Sequence, residues 1–285
     1  MKTDIFGYMR FSYLGRSDVL LSRRNDDAEF RRNVLYTPER LEERFHFFEK
    51  LCLPSLRWQT DKDFRLVVFT SPELPDRYRN RLETAVADIP QIEIVYDAAD
   101  HINQAINPWI ERQESVHMGR TLHFRLDDDD ALATDFIATL RQNIPNAPDH
   151  CIISRPSGLF LANSAAGPEL LAKFDPYIAI GYALVNPAGH IRNPYSLAHT
   201  RYQRFAPSLI LPGPFAYIHT THLQSDTREM EAEKLMLAQA DHATSYYASR
   251  PHRFREMVQR QFNGLRPVDL LKIIASSPGR RAIQK

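Results

Sequence analysis

The sequence is poor in the residues that build zinc sites and disulfide frameworks. Its 285 residues include two cysteines, Cys52 and Cys151, and neither belongs to a CxxC or Cys/His cluster. We therefore expect two reduced, buried thiols of a cytoplasmic protein. No apolar run approaches the ~20 residues that a membrane-spanning helix needs. The first residues, MKTDIFGYMRFSYLG, lack the continuous apolar stretch of a signal peptide, so none is expected.

Several nucleotide-binding motifs are also missing. The sequence has no GxxxxGK[ST], which argues against a P-loop NTPase. The stretch MRFSYLGRS, after the first predicted strand, has one glycine, whereas a dinucleotide-binding turn needs several. A nucleotidyltransferase would need a glycine-rich loop with a lysine near that strand, and none is found. The net charge of +1 argues against binding of polyanions by the chain as a whole.

The first half of the chain alternates predicted strands with predicted helices. We expect strands at residues 4–14, 63–71, 92–98 and 121–127, rich in β-branched and aromatic residues. The best-marked helix begins near Pro38 and should kink or end at Pro54. Such alternation predicts an α/β fold with a mostly parallel central sheet flanked by helices. One face of that helix carries four apolar residues: Leu41, Phe45, Phe48 and Cys52.

The second half is less regular. Strand-like runs broken by Gly and Pro, including residues 207–224, predict a smaller antiparallel extension of the sheet. The charged residues 16–33 predict a loop or a lid. No internal repeat or low-complexity segment is found.

The C-terminal part differs in charge from the rest. Residues 250–285 contain nine Lys or Arg but two Asp or Glu, so this segment is basic and the remainder is acidic. Leu270, Leu271, Ile273 and Ile274 give the segment an apolar face, which favours a helix packed on the acidic body. The alternative is a surface for an anionic partner such as membrane lipid. We predict a body at residues 1–245 and a basic helical extension at 246–285.

Four consecutive aspartates follow the fourth predicted strand. In an open α/β sheet, ligands bind beyond the carboxyl ends of the strands, where this run lies. An extended backbone would place Asp127 and Asp129 on one side, with Asp128 and Asp130 on the other. Capping of the next helix would need one acidic side chain, and Thr134 and Asp135 already offer candidates.

The repulsion between adjacent carboxylates points to a bound cation. Like charges that lie close together raise each other's pKa, and a divalent ion relieves this. Oxygen ligands suit Mg²⁺ or Mn²⁺, and Mg²⁺ is typically held by one or two carboxylates together with substrate phosphates. We therefore favour a metal site over a helix cap. With the nucleotide-binding classes above excluded, the reaction that fits such a metal site is transfer of a group whose leaving portion is a nucleoside diphosphate.

Three segments, in order, resemble a known family. They are RFSYLG, RFHFFEKLCLPSLRWQTDKDFRLVVFTSPELP and FRLDDDDAL with the following DFI. Together they resemble bacterial rhamnosyltransferases over roughly residues 5 to 225. The strand–DxD–helix arrangement resembles the GT-A (nucleotide-diphospho-sugar transferase) fold of glycosyltransferases. The resemblance weakens in the basic C-terminal segment.

The resemblance implies roles for individual residues. Asp127 and Asp129 match the outer positions of the DxD motif and would hold the metal and the sugar nucleotide; Asp128 or Asp130 could share this. Arg10 matches the arginine of the family's RFS motif and would lie near the nucleotide. A late histidine would complete the metal site, and His222 is preferred over His219.

Other candidates remain open. Arg125 would contact phosphate or form a salt bridge to the aspartates. Tyr96, Asp97 and Asp100 would contact base or ribose, or simply form a turn. The catalytic base is not assigned. Asp130, Asp226 and Glu229 are among the acids in suitable regions of the chain.

The expected function is therefore a glycosyltransferase of the hexosyltransferase type, dependent on Mn²⁺ or Mg²⁺. It would transfer a sugar, rhamnose by the family's name, from a UDP-, dTDP- or GDP-linked donor. The acceptor hydroxyl would belong to a glycan, a lipid-linked or a small molecule, in bacterial polysaccharide or glycan synthesis. No nucleic acid is expected as partner. Peripheral contact with the inner membrane face through the basic C-terminus is a further option. The alternative function is a non-catalytic nucleotide- or metal-binding module docked through that tail.

Overall fold

A computed structural model describes residues 3–15, 28–164, 167–196, 199–202, 204–222 and 249–278. The strands are β1 (Asp4–Arg10), β2 (Arg65–Thr70), β3 (Ile92–Tyr96), β4 (Thr121–Arg125), β5 (Ala131–Leu132), β6 (Ile152–Ser154), β7 (Ser157–Ser164), β8 (Gly167–Phe174), β9 (Ala183–Asn186), β10 (Ser208–Ile210) and β11 (Tyr217–Thr221). The helices are α1 (Ala28–Leu35), α2 (Pro38–Phe47), α3 (Leu53–Arg57), α4 (Asp76–Val86), α5 (Ile102–Glu111), α6 (Glu114–Met118), α7 (Phe136–Asn143), α8 (His199–Tyr202), α9 (Pro251–Gln261) and α10 (Pro267–Ala275).

The central sheet has seven strands in the order β10-β6-β9-β4-β1-β2-β3. Strand β1 pairs in parallel with β2 and β4, and β2 pairs in parallel with β3. Strand β9 is antiparallel to both β4 and β6. The buried strands are nearly continuous apolar runs, as expected where helices cover both faces of a parallel sheet. The predicted α/β class with a mostly parallel central sheet is confirmed.

A second, smaller sheet has the order β5-β11-β7-β8. Strand β7 is antiparallel to β8 and β11 is antiparallel to β5, whereas β11 and β7 are parallel. The predicted extension is therefore present and mostly antiparallel. The segment 207–224 contributes to both sheets, because β10 joins β6 in the central sheet while β11 joins β7.

The strand order creates a reversal point between β1 and β4. From β1 the chain runs outward through β2 and β3 on one side, and then returns to β4 on the other. In open α/β sheets a crevice forms at the carboxyl ends of the strands at such a point, and ligands bind there. Arg10 ends β1 and Arg125 ends β4, so both residues lie at this crevice.

The helix does not end at Pro54 but continues as far as Arg57, whereas the predicted kink stays a prediction. A π-helical turn, Phe48–Cys52, joins α2 to α3, and the Leu53 N–H donates to the Phe48 carbonyl. Pro54 follows this wider turn and has no N–H of its own to satisfy. The predicted apolar face is confirmed, since all four of its residues are fully buried: Leu41, Phe45, Phe48 and Cys52.

Two other element predictions are corrected. Residues 16–33 were expected to form a loop or lid, but α1 begins at Ala28; residues 16–27 lie outside the described part of the chain. The sequence NPWIERQESV, residues 107–116, predicts one helix, but these residues belong to two helices, α5 with Pro108 inside it and the short α6.

The C-terminal helices share a core with the second sheet. Val258 and Phe262 of this segment are buried, as are Leu270 and Ile274 of α10, in one cluster that includes Leu161 of β7. The apolar face of the segment thus packs on the body, as favoured from the sequence. The boundary between body and extension stays a prediction. Within the described residues, no helix is long and apolar enough to span a membrane.

Candidate active site at the carboxyl ends of the parallel strands

The four aspartates form a tight turn after β4. The Asp130 N–H donates to the Asp127 carbonyl at 3.2 Å, which closes the turn. The expectation of an extended backbone with alternating sides is therefore wrong. A turn points successive side chains in different directions, so each of the four carboxylates meets a different partner.

The carboxylate of Asp128 points into the protein. Asp128 is fully buried and accepts two hydrogen bonds from Arg44 of α2, at 2.7 and 2.9 Å. Burial and the charges of Asp129 and Asp127 raise the pKa of Asp128 to about 6, against the lowering effect of Arg44. The Arg44 pair therefore compensates a charge that the fold has removed from water.

Asp130 is also buried, and is 4% exposed. Its carboxylate accepts a hydrogen bond from the backbone N–H of Thr220 in β11 at 2.9 Å. The hydroxyl of Thr220 donates to the Asp129 carbonyl at 2.7 Å. Burial raises the pKa of Asp130. These contacts fix the turn against the second sheet.

Asp127 is the most exposed member of the run, with 31% of its side chain accessible. Arg125 donates to both of its carboxylate oxygens, at 3.0 and 3.2 Å. Burial would raise the pKa of Asp127, but the guanidinium groups of Arg125 and Arg10 outweigh this and lower it. The salt bridge that the sequence left open for Arg125 is thus present.

Asp129 meets the predicted histidine. His222 lies directly after β11, and its Nε2 is 3.1 Å from Asp129 Oδ2. Burial opposes the charged form of Asp129, but the hydrogen bond from His222 lowers the pKa of Asp129 to about 2. The His222 ring stacks on Phe47 of α2, with centroids 4.5 Å apart. Two of the three predicted metal ligands are therefore in contact.

His219, the less favoured histidine, faces elsewhere. Its Nδ1 lies 3.1 Å from Nζ of the buried Lys173 in β8. Burial and Lys173 lower the pKa of His219 to about 3, so the ring is neutral at neutral pH. The preference for His222 agrees with this arrangement.

Two arginines and a tyrosine lie beside Asp127. The guanidinium carbons of Arg10 and Arg125 lie 4.9 and 4.5 Å from the centroid of the Tyr195 ring. Tyr195 is 5% exposed, and burial raises its pKa to about 12. Its hydroxyl donates to the Tyr8 carbonyl at 3.4 Å. The contacts with Tyr195 hold two positive charges at the crevice, beside the turn of the four aspartates.

Asp97, a predicted base or ribose contact, follows β3 at the same edge of the sheet. Its carboxylate accepts hydrogen bonds from the Tyr13 hydroxyl at 3.0 Å and from the Ala99 N–H at 2.7 Å. The second bond is the turn-forming contact that the sequence left open. Of the neighbouring candidates, Asp100 lies 3.8 Å from Arg31, and the Tyr96 hydroxyl donates to Glu83.

The donor set has the chemistry that a divalent cation requires. Asp129 offers carboxylate oxygen and His222 imidazole nitrogen at one point, a combination suited to Mn²⁺. The third predicted ligand, Asp127, is engaged by Arg125 instead. Among the described residues, no group of three or more His, Cys, Asp or Glu is arranged to hold a metal ion. The residues thus fit a site with few protein ligands, of the kind that substrate phosphates complete.

Three residues of the candidate site were not predicted from the sequence. Arg44 is three positions after Leu41 and four before Phe48, so it lies on the buried face of its helix, where a charge is unusual without a partner. Glu43, whose Oε2 lies 3.4 Å from Nδ1 of His222, is four positions before the buried Phe47. Tyr195 has no signal in the sequence, since a loop brings it to the crevice from far along the chain.

Comparison with known sequences identifies the family. The profile of the family described as "Putative rhamnosyl transferase" matches residues 4–234. The chain belongs to this family. Membership in the rhamnosyl transferase family places the chain among the glycosyltransferases, and the resemblance inferred from the sequence is confirmed. No curated protein matches the chain.

Solved structures that match the chain include TarS from S. aureus, at 12% identity and a TM-score of 0.42. That match covers 90% of this chain but 43% of TarS, so the chain spans less than half the length of that protein. The 1–349 fragment of TarS in complex with UDP matches at 11% identity and a TM-score of 0.40, with 99% of this chain and 92% of the fragment covered. A "putative nucleotide-diphospho-sugar transferase" from Desulfovibrio desulfuricans G20 matches at 10% identity and a TM-score of 0.34, covering 90% and 98% of the respective chains.

Proposed function

We propose that the chain transfers a sugar from a nucleoside diphosphate sugar to an acceptor hydroxyl, with a divalent metal ion held at the aspartate turn. The sugar is rhamnose if the family's name applies, and the product belongs to bacterial polysaccharide or glycan synthesis. The observation that carries the proposal is the contact of Asp129 with His222, beside a pair of arginines at the reversal point of the sheet.

The arginines are suited to the diphosphate of the donor. Arg10 and Arg125 are the last residues of the two strands that flank the crevice, and both guanidinium groups pack on the Tyr195 ring. A guanidinium group recognises phosphate oxygens through paired N–H donors, and prior orientation reduces the side-chain entropy lost on binding. Asp97, which follows β3, is the proposed contact to base or ribose. Asp128, which the sequence also offered as a contact to the sugar nucleotide, is fully buried against Arg44 and stabilises the aspartate turn instead.

The proposed metal ligands are Asp129 and His222, with Asp127 as the third predicted ligand. Mn²⁺ or Mg²⁺ would neutralise the charge that develops on the leaving diphosphate. Asp127 is held by Arg125 in the structure, and a donor phosphate would compete with this carboxylate for the same arginine. Arg44 keeps Asp128 paired away from this site.

The catalytic base stays unassigned. Asp130 is buried against Thr220, which removes it from an approaching acceptor hydroxyl. Asp226 and Glu229, the other acids considered, lie outside the described residues.

A ligand panel tests the proposal directly. Thermal unfolding would be followed with UDP-, dTDP- and GDP-sugars, each with Mn²⁺, Mg²⁺ or EDTA, in the wild type and in Asp129→Asn. A ligand that binds only the folded protein raises the midpoint by mass action. We expect one nucleotide class to raise it, and EDTA or Asp129→Asn to abolish the increase.

Asp88→Asn is the matched control, because Asp88 lies in an exposed pair with Arg57 away from the turn. It should respond to ligands like the wild type. An increase that survives EDTA would remove the metal from the proposal. No increase with any sugar nucleotide would overturn the donor class.

A further inference from the structure

Four buried or nearly buried side chains connect the C-terminal segment to the aspartate turn; in order, they are Ser277, Glu43, His222 and Asp129. The Ser277 hydroxyl donates to Glu43 Oε1 at 3.1 Å. Glu43 Oε2 lies 3.4 Å from His222 Nδ1, and His222 Nε2 lies 3.1 Å from Asp129. Glu43 is fully buried and Ser277 is 2% exposed. Ser277 lies beyond residues 4–234, which the family profile matches.

Glu43 occupies the place of an orienting group for a ligating histidine. A histidine that binds a metal through one nitrogen almost always donates its other N–H to a carboxylate or carbonyl, which fixes both tautomer and ring orientation. Phe47, one helical turn after Glu43, stacks on the same ring. Two side chains of α2 therefore contact the His222 ring: Phe47 packs on its face, and Glu43 lies beside Nδ1 at its edge.

We propose that Glu43 is a positioning residue that keeps Nε2 of His222 directed toward Asp129, and that Ser277 holds Glu43 in place. The effect on metal binding rests on the proposed function, whereas the geometry rests on the contacts of Glu43 alone. It also gives the C-terminal segment a role, because Ser277 follows the end of α10 and contacts Glu43. A second contact fixes the same packing: His46 Nε2 lies 2.7 Å from the Ile273 carbonyl.

Glu43→Gln tests this with little change of shape. The Ser277 hydroxyl would still donate to the amide oxygen, so the amide nitrogen would face His222 and donate to Nδ1. The ring would then carry its proton on Nε2 and could not ligate through that atom. We expect Mn²⁺ affinity, measured by EPR titration of the whole 285-residue chain, to fall about 10- to 100-fold. Glu43→Asp, which keeps the carboxylate, should recover part of it, and Ser277→Ala should weaken binding in the same direction.

Glu49→Gln is the control, since Glu49 lies six residues after Glu43, in the π-helical turn, and pairs with Arg81 instead. It should leave the Mn²⁺ affinity unchanged. The second readout is the ¹⁵N NMR signal of the His222 ring without metal, assigned by comparison with His222→Gln. Glu43→Gln should remove the proton from Nδ1.

The two readouts separate the inference from the proposed function. If Glu43→Gln binds Mn²⁺ as the wild type does and the ring signal is unchanged, Glu43 does not position His222. If the wild type binds no Mn²⁺, the metal part of the proposed function fails. The ring signal then still decides the role of Glu43, because it needs no metal.

Discussion

At the scale of single residues, the aspartate turn divides four identical side chains between different tasks. Asp128 and Asp130 are buried by Arg44 and Thr220, which leaves Asp127 and Asp129 nearer to solvent. The run is therefore partly structural and partly a candidate site. The sequence could show that the repulsion needed compensation, but could not show that a helix residue, Arg44, supplies part of it.

Removal of Arg44 should be costly. Arg44→Gln leaves the Asp128 carboxylate buried without its cation, and breaking a buried pair from one side typically costs about 3–5 kcal/mol. Urea unfolding would measure the loss. Arg57→Gln, at the exposed pair with Asp88, should cost less than about 1 kcal/mol. Equal losses in the two variants would show that the Asp128 pair does not compensate a buried charge.

His123 should make the protein sensitive to acid. It is fully buried in β4 between Tyr8 and Thr121, with 2.7 and 2.8 Å contacts, and burial lowers its pKa to about 3. The unfolded chain protonates near pH 6.5, so it binds more protons than the folded protein. The stability that depends on a neutral His123 is present above pH 6.5 and is lost as the pH falls toward 3.

The variant His123→Asn cannot titrate in this range. Between pH 7 and pH 4, the free energy of unfolding of the wild type should fall by about 3 kcal/mol more than that of the variant. Urea unfolding at the two pH values measures the difference. Parallel losses in both proteins would contradict the assignment.

At the scale of elements, local sequence pattern predicted the parts of the fold that depend on neighbouring residues. The strand–helix alternation indicated the parallel half, and the spacing of Leu41, Phe45 and Phe48 indicated the buried helix face. The helix continued past Pro54 because a π-helical turn precedes the proline, and nothing in the local pattern indicates such a turn. The split of residues 207–224 between two sheets likewise depends on partners distant in the chain.

The C-terminal helix α10 should unfold together with the body. Ile274 is fully buried against the second sheet, so Ile274→Ala should destabilise the protein by about 2–5 kcal/mol. Both tryptophans, Trp58 and Trp109, lie in the body, and their fluorescence would report the change. Val268→Ala, at a 45% exposed position of the same helix, should change stability by less than about 0.5 kcal/mol. An unchanged tryptophan transition in Ile274→Ala would mean that the extension unfolds independently.

At the scale of the whole molecule, the site is assembled from parts that are far apart in sequence. Five separate segments of the chain contribute to it, and they carry Arg10, Arg44, Asp129, Tyr195 and His222. The resemblance to the family implied Arg10, Asp129 and His222 as candidates, because they match its RFS arginine, its DxD motif and its late histidine. Glu43, Arg44 and Tyr195 became visible only when the chain was folded, since their role depends on the groups that they face.

The most direct test of the central claim is turnover of the sugar nucleotide. Release of nucleoside diphosphate from the best-binding donor, with water as the acceptor of the sugar, would be measured with Mn²⁺ and with EDTA, for the wild type, Asp129→Asn and the control Asp88→Asn. The account predicts release by the wild type and the control that stops with EDTA, and none by Asp129→Asn. Unchanged release by Asp129→Asn would contradict the site. Donor binding without any release would instead indicate a non-catalytic nucleotide-binding module.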